Sequence, residues 1–177
     1  MIEILPSWHP VFVHFTLGLL LIATALYISS LILPASSPRR GELLLVANWN
    51  LWMGYAFALI TAWFGWRAFN TVVHDDISHL AMTEHRNWAL TTLTVYLPVV
   101  LWSIFRARAA KQPDWIFATI LLIPTALLVS TGWHGAEVVY RYGLGVMSLP
   151  VRAAHTHSGD GHVHNHSHSH EHTLPAK

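Results

Sequence analysis

Four long apolar runs, separated by shorter polar segments, organise most of the chain. The first run covers residues 11–33 and contains His14 as its single ionisable side chain; the others cover residues 46–69, 88–105 and 115–139. A helical run of about 20 apolar residues is long enough to cross the hydrocarbon core of a bilayer. The pattern therefore predicts four transmembrane helices that form one domain over residues 1–150.

The runs are apolar on every side, which distinguishes them from the amphipathic helices of a soluble bundle. The first run also differs from a secretory signal sequence, because no basic segment precedes it and Pro34 follows it in place of a small-residue cleavage site. Pro38 and Gly41 predict a loop after the first helix, and Pro113 predicts a loop before the fourth. We expect an all-α integral membrane protein, built as a four-helix bundle in the lipid bilayer.

Composition narrows the chemistry that this bundle can perform. Only 11% of the residues are charged, and the ten Lys and Arg nearly balance the nine Asp and Glu, so no basic surface is available for nucleic acid. The absence of Cys excludes disulfides, thiolate zinc sites and iron–sulfur clusters. The sequence also contains no HExxH motif or nucleotide-binding loop, and we do not expect an enzyme that acts by itself.

Histidine is the unusual component, with 14 residues in the chain. In four antiparallel helices, the first and third begin, and the second and fourth end, at the same membrane face. This face receives every histidine that precedes the C-terminal segment: His9, His14, His74, His79, His85 and His134. We expect His14 and His134 about one turn inside their helices and His85 at the mouth of the third. Ionisable side chains inside a membrane usually mark a ligand site or a transport path.

Two kinds of site suit these histidines. A b-type haem needs two imidazoles on facing helices, and we place it between His14 and His85, with His9, His74 or His134 as substitute ligands. A bare zinc, copper or iron ion needs three or four ligands, which three histidines and Glu137 would supply. A quinone site is a further alternative, and so is a structural role in which the imidazoles bind backbone, headgroups or a partner subunit.

The composition changes abruptly after Pro150. Residues 151–177 are predicted to form a disordered tail, because residues 155–172, HTHSGDGHVHNHSHSHEH, contain no apolar core. Alternating imidazoles bind divalent copper, nickel, zinc or cobalt. Interleaved Ser, Asn, Val and Glu residues distinguish this segment from a purification tag. The predicted metal ligands are His155, His157, His162, His164, His166, His168, His170 and His172.

Two motifs resemble a known family. Residues 9–16, HPVFVHFT, resemble the HP-x-x-x-H-F-P opening of a bacterial membrane family, domain of unknown function 2231, and residues 135–146, GAEVVYRYGLGV, resemble its closing G-G-E-L-V-Y-x-x-G-x-G-V element. The resemblance covers about residues 8–146, with Thr16 in place of Pro and Ala136 in place of Gly. It implies a four-helix domain that is often encoded beside, or fused to, cytochrome-type modules, and it favours His9, His14, His85 and Glu137 as functional residues.

The orientation follows from the basic residues of the short loops, which mark the cytoplasmic side of a membrane protein. Arg39, Arg40, Arg106, Arg108 and Lys111 lie opposite the histidine face and are packed into short loops. The histidine side carries as many basic residues, Arg67, Arg86, Arg141, Arg152 and Lys177, but they are not packed into short loops. We therefore expect a multi-pass protein of the bacterial inner membrane with both termini in the periplasm.

The leading hypothesis is electron transfer between a quinol or partner subunit and a periplasmic acceptor. The alternatives are capture or delivery of copper, nickel or zinc, and an accessory subunit of a membrane complex; a homo-oligomer is compatible with each.

Overall fold

Four α-helices account for the fold. The computed structural model describes residues 7–72, 75–109 and 114–146. The helices are α1 (His9–Ile32), α2 (Pro38–Thr71), α3 (Asp76–Arg108) and α4 (Trp115–Tyr140), and no strand occurs among the described residues. Each helix is long and apolar enough to cross a membrane, which confirms the predicted all-α membrane bundle. His74 and the predicted tail ligands lie outside the described residues.

The third helix begins well before its apolar run. The Asp75 carboxylate accepts a hydrogen bond from the Ser78 backbone N–H at 2.8 Å, and the Ser78 hydroxyl accepts one from the Asp75 N–H at 3.1 Å. This reciprocal capping starts a helix in a polar segment that hydropathy alone does not assign to a span. His85 therefore lies about two and a half turns inside α3, and its expected place at the helix mouth was wrong.

The fourth helix also begins at a capping aspartate, outside the membrane span. The Asp114 carboxylate accepts the Phe117 backbone N–H at 2.9 Å and pairs with the Arg106 guanidinium at 3.3 Å. The hydrogen bond from Phe117, followed by the charge of Arg106, lowers the pKa of Asp114 below its ordinary value. The ion pair joins the end of α3 to the start of α4 at the end of the bundle that is remote from the histidines.

The helices form two hairpins that stand side by side. Helix α1 packs most closely on α2, and α3 on α4, whereas the contacts of α2 with α3 and of α1 with α4 are fewer. Helices α1 and α3 lie on a diagonal of the bundle. Both hairpins run in the same direction, so the starts of α1 and α3 meet the ends of α2 and α4. We call this the histidine end.

A repeated sequence pattern relates the two hairpins. Residues 9–16 of α1 and 85–92 of α3 both read His, six residues, Thr. Residues 61–65 of α2, TAWFG, and 131–135 of α4, TGWHG, share Thr, Trp and Gly at the same spacing. The matched segments occupy corresponding helices of the two hairpins, so the bundle has an approximate twofold relationship about its long axis.

Equivalent hydrogen bonds support this relationship. The Thr16 and Thr61 hydroxyls lie 2.8 Å apart across α1 and α2, and the Thr92 and Thr131 hydroxyls lie 2.8 Å apart across α3 and α4. A hydroxyl in the hydrocarbon region must find its partner within the protein. Each pair therefore fixes how far one helix is shifted along the other.

Close packing of the first hairpin depends on Gly54 in α2. A Cβ atom at this position would lie 2.9 Å from Cγ of Leu20 and 3.1 Å from Cβ of Leu19. Leu20 is fully buried and has no space into which it can move. Gly18 in α1 is a matched contrast, because a Cβ atom there meets nothing within 4 Å.

We predict that Gly54→Ala lowers the thermal unfolding midpoint in detergent, whereas Gly18→Ala leaves it unchanged or raises it. Overpacking costs about 1–3 kcal/mol, which exceeds the roughly 1 kcal/mol that alanine gains over glycine in a helix. Thermal unfolding monitored by circular dichroism measures the difference. Equal midpoints for the two variants would contradict the close approach of α1 and α2 at Gly54.

Candidate functional site

Two imidazoles meet between the hairpins at the histidine end. The rings of His9, from α1, and His85, from α3, have centroids 6.2 Å apart and planes inclined at 75°. Because α1 and α3 lie on a diagonal, one ring comes from each hairpin and both enter the space between them. We call these residues the imidazole pair.

Glycine makes room for each ring within its own hairpin. A Cβ atom on Gly65 would lie 3.0 Å from Cε1 and Nδ1 of His9, and one on Gly135 would lie 3.0 Å from Cε1 of His85. Contacts this short leave no place for a side chain unless the ring moves. The two glycines hold equivalent positions in the repeated pattern, so the two rings are supported in the same way.

The backbone determines which nitrogen of His9 carries the hydrogen. Nδ1 of His9 lies 3.0 Å from the carbonyl oxygen of Thr61, which can only accept a hydrogen bond. Nδ1–H is therefore the donor, and the neutral ring keeps its lone pair on Nε2. This is the usual arrangement of a metal-binding histidine, whose second nitrogen donates to a carbonyl or carboxylate.

His85 differs from His9 in one respect. Its Nδ1 is buried and has no hydrogen-bond partner among the described residues. The carbonyl oxygen of Thr131, the equivalent of Thr61, interacts with the ring without forming a hydrogen bond of normal geometry to Nδ1. A buried polar atom without a partner costs free energy in an apolar environment. The packing of the bundle thus leaves Nδ1 of His85 without the hydrogen bond that it could form.

His14 does not join the imidazole pair. Position 14 is turned about 140° from position 9 around a helix, and the His14 side chain is exposed on the outside of α1. Its Nδ1 lies 2.6 Å from the carbonyl oxygen of Pro10, so Nδ1–H donates and Nε2 points away from its own helix turn. The structure brings His9, and not His14, to His85.

His134 forms a second group beside the pair. Its ring stacks on Trp88 with centroids 5.2 Å apart, and its Nδ1 lies 3.8 Å from Oε2 of Glu137 and 4.0 Å from Oε1 of Glu84. The other Glu137 oxygen accepts from Arg141 at 2.6 Å. We call His134, Glu84 and Glu137 the His134 cluster. It lines a cavity of about 270 Å³ together with Ile77, Leu80, Ala81, Arg141 and Tyr142.

The described histidines thus share one end of the bundle but not one site. His79 packs on Phe69 with ring centroids 5.4 Å apart, near the end of α2. Within the described ranges, no three His, Asp or Glu side chains converge closely enough to hold a metal ion. The predicted grouping of three histidines with Glu137 is therefore divided into the imidazole pair and the His134 cluster.

One signal in the sequence distinguishes His9 from His14. His9 holds in residues 9–16 the place that His85 holds in residues 85–92, whereas Leu90 stands at the equivalent of His14. A search for internal repeats would have paired His9 with His85. The sequence pattern did not single out Glu84, because this residue lies in the polar segment between the second and third apolar runs.

We predict that the neutral rings of His9 and His14 both carry their hydrogen on Nδ1, because each Nδ1 lies within hydrogen-bond distance of a backbone carbonyl oxygen. Nitrogen-15 NMR of histidine-labelled protein in bilayers distinguishes the two tautomers. His9→Ala and His14→Ala assign the two resonances. A His9 ring with hydrogen on Nε2 would contradict the hydrogen bond to Thr61.

The comparisons with known proteins agree with this architecture. A family model described as a predicted membrane protein, DUF2231, matches residues 6–148 and so includes all four helices and both repeated patterns. No curated protein and no solved structure matches the chain. The chain belongs to the DUF2231 family of predicted membrane proteins.

Proposed function

We propose that this protein transfers electrons in the membrane and binds a b-type haem between its hairpins, where His9 and His85 would hold the iron. The imidazole pair is the observation that carries the proposal. It replaces the pair of His14 and His85 that the sequence suggested, because the His14 ring is exposed on the outside of the bundle.

The spacing of the pair suits two ligands of one metal. Two imidazoles bound at about 2.0–2.1 Å to a single ion hold their ring centres roughly 5–6.5 Å apart. The observed separation of 6.2 Å lies in this range. The lone pair on Nε2 of His9 would supply one donor, and the His85 imidazole, whose buried Nδ1 has no hydrogen-bond partner among the described residues, would supply the other.

The number of ligands favours haem over a bare ion. A zinc or copper ion takes three or four protein ligands, and the described part of the chain brings no three such side chains together. Haem iron receives its other ligands from the macrocycle, so two histidines are sufficient. The imidazole pair therefore matches the ligand requirement of haem.

The interface between the hairpins offers the place for a flat group. The hairpins pack more closely within themselves than against each other. The hydroxyl pairs of Thr16 with Thr61 and of Thr92 with Thr131 lie within the hairpins. The hydrogen bonds that join the two hairpins lie further from the histidine end: Thr24 with Thr125, Trp52 with Ser103, and Tyr55 with the Leu93 carbonyl. A flat cofactor bound there would be held by one imidazole from each hairpin.

The chain and the haem would have separate tasks. A bound haem supplies one-electron chemistry, while the chain supplies two neutral imidazoles, fixes the His9 tautomer through Thr61, and provides an apolar environment that influences the potential. Arg67, Arg86 and Arg141 lie at the histidine end, but the basic residues of the opposite end, including Arg39, Arg40 and Arg108, are the ones packed near short connections. The positive-inside rule then puts the pair near the periplasmic face of the inner membrane, with both termini in the periplasm. A quinol or a partner subunit and a periplasmic acceptor are the proposed redox partners.

We predict that protein purified from a haem-replete host shows the reduced absorption bands of bis-histidine haem b. His9→Ala and His85→Ala lose these bands, because each removes one axial ligand, whereas His14→Ala keeps them. Thermal unfolding of every variant checks the fold. In His9→Gly, added imidazole restores the low-spin spectrum if the loss results from the missing ligand.

Two results would contradict the proposal. One is a wild-type preparation without haem from such a host. The other is loss of the bands in His14→Ala with retention in His9→Ala, which would return the ligand role to His14.

A further inference from the structure

The His134 cluster departs from the twofold relationship of the hairpins. His134 in α4 corresponds to Phe64 in α2, and Trp88 in α3 corresponds to Phe12 in α1. Phe12 and Phe64 stack with ring centroids 5.0 Å apart and planes at 6°, as Trp88 and His134 do at 5.2 Å and 19°. An apolar ring is therefore sufficient for helix packing at this position, and the imidazole of His134 is available for another role.

Both carboxylates of the cluster are also particular to the second hairpin. Glu84 corresponds to Trp8, and Glu137 corresponds to Arg67. Ionisable side chains that a membrane bundle does not need for packing are candidates for function. The second hairpin thus carries three polar side chains that the shared architecture does not explain.

The cavity of the cluster combines these polar groups with apolar side chains. Ile77, Leu80 and Ala81, from the first turns of α3, contribute to its lining. The side chain of Glu84 is 62% exposed and that of His134 is 22% exposed, so the cavity is open at Glu84 and more enclosed at His134. Its volume of about 270 Å³ is several times the roughly 30 Å³ that one water occupies in the liquid. The cavity therefore has room for a ring-sized ligand.

The distances within the cluster suit a ligand hydroxyl that lies between the side chains. Nδ1 of His134 is 3.8 Å from Oε2 of Glu137 and 4.0 Å from Oε1 of Glu84, which exceeds hydrogen-bond length. Two hydrogen bonds of roughly 2.8 Å that meet at one hydroxyl oxygen hold their outer atoms about 4 Å apart. A hydroxyl can donate to a carboxylate and accept from an imidazole N–H at the same time. Arg141 engages the other oxygen of Glu137 at 2.6 Å and leaves Oε2 for the ligand.

The cavity lies beside the imidazole pair. Glu84 precedes His85 in α3, and His134 precedes Gly135 in α4. Gly135 is the residue that makes room for the His85 ring, since a Cβ atom there would lie 3.0 Å from Cε1 of His85. A ligand of the cavity is thus held by residues that directly adjoin those of the imidazole pair.

We propose that the cavity of the His134 cluster binds the head group of a membrane quinol. A quinol combines two hydroxyl donors with an apolar ring and dissolves in the bilayer. Ile77 and Leu80 are exposed beside the cavity, so an apolar tail can continue from it along α3. The choice of a quinol among hydroxyl compounds rests on the proposed electron transfer, which needs a reductant in the membrane, whereas the hydrogen-bonding site does not depend on haem.

Isothermal titration calorimetry of the full chain in detergent tests the site with the ubiquinol head group without its isoprenoid tail, kept reduced under anaerobic conditions. His134→Phe introduces the residue that the first hairpin uses, and Glu84→Gln with Glu137→Gln removes both acceptor charges. We expect each variant to weaken binding at least about tenfold, because each loses a hydrogen bond to the ligand hydroxyl. His14→Phe, which removes an exposed imidazole outside the cluster, is the matched control and keeps wild-type affinity. Thermal unfolding of every variant checks the fold.

The dimethyl ether of the same head group tests the hydrogen bonds from the side of the ligand. It keeps the ring but lacks both hydroxyl donors, so we expect it not to compete with the quinol. Nitrogen-15 NMR of histidine-labelled protein gives a second measurement, in which the quinol head group shifts the His134 resonance and leaves that of His14 unchanged.

Three results would overturn the proposal. The first is wild-type affinity in His134→Phe or in the Gln variant, and the second is equal binding of the quinol head group and its ether. The third is a wild-type protein that does not bind the head group, which would leave water in the cavity.

Haem absorbance of the same samples separates this proposal from the preceding one. We expect His134→Phe to keep the haem bands of the wild type while it loses the head group. Binding of the head group at the His134 cluster by a protein without haem would contradict the proposed electron transfer and support the cavity site. A protein that contains haem but does not bind the head group would contradict the cavity site alone.

Discussion

A hydrogen bond between paired threonine hydroxyls joins the helices of each hairpin, and in the first hairpin the same threonine also positions the imidazole of His9. Thr61 bonds Thr16 through its hydroxyl and accepts the His9 ring through its carbonyl. Gly65 lies one turn further along α2, where it makes room for that ring. In hydrocarbon no water competes for these groups, so a hydroxyl pair can determine register between helices that are apolar on every side.

The same arrangement in the second hairpin explains why the two rings face each other. Thr92 bonds Thr131, and Gly135 receives His85. Because the two hairpins are equivalent about one axis, each contributes one imidazole to the space between them. This arrangement suits a cofactor that needs two similar ligands. The His134 cluster, by contrast, occurs in the second hairpin only. The position equivalent to His134 in the first hairpin is Phe64, which stacks on Phe12, so an apolar ring is sufficient for packing at this position. Symmetry thus separates the imidazole pair, to which both hairpins contribute, from a group that the second hairpin adds.

The sequence was sufficient for the spans and for the common end of the histidines, because apolar length and antiparallel threading determine both. It was not sufficient to predict which of His9 and His14 faces the interior of the bundle. Both residues lie near the start of a helix that is apolar all round, so no polar stripe shows which side faces the bundle. The start of α3 was missed because the Asp75–Ser78 capping box lies in a polar segment. The repeat was present but inconspicuous, since the matched segments lie 76 residues apart for His9 and His85 and 70 apart for Thr61 and Thr131.

Electron paramagnetic resonance of the oxidised protein in bilayers tests the ligand pair most directly. Two imidazoles on one ferric haem give a low-spin signal, and steeply inclined ring planes, as in the imidazole pair, make that signal strongly anisotropic. We predict this signal in the wild type. A high-spin signal, which indicates that an axial imidazole is missing, or the absence of any haem signal in protein from haem-replete cells, would contradict the account.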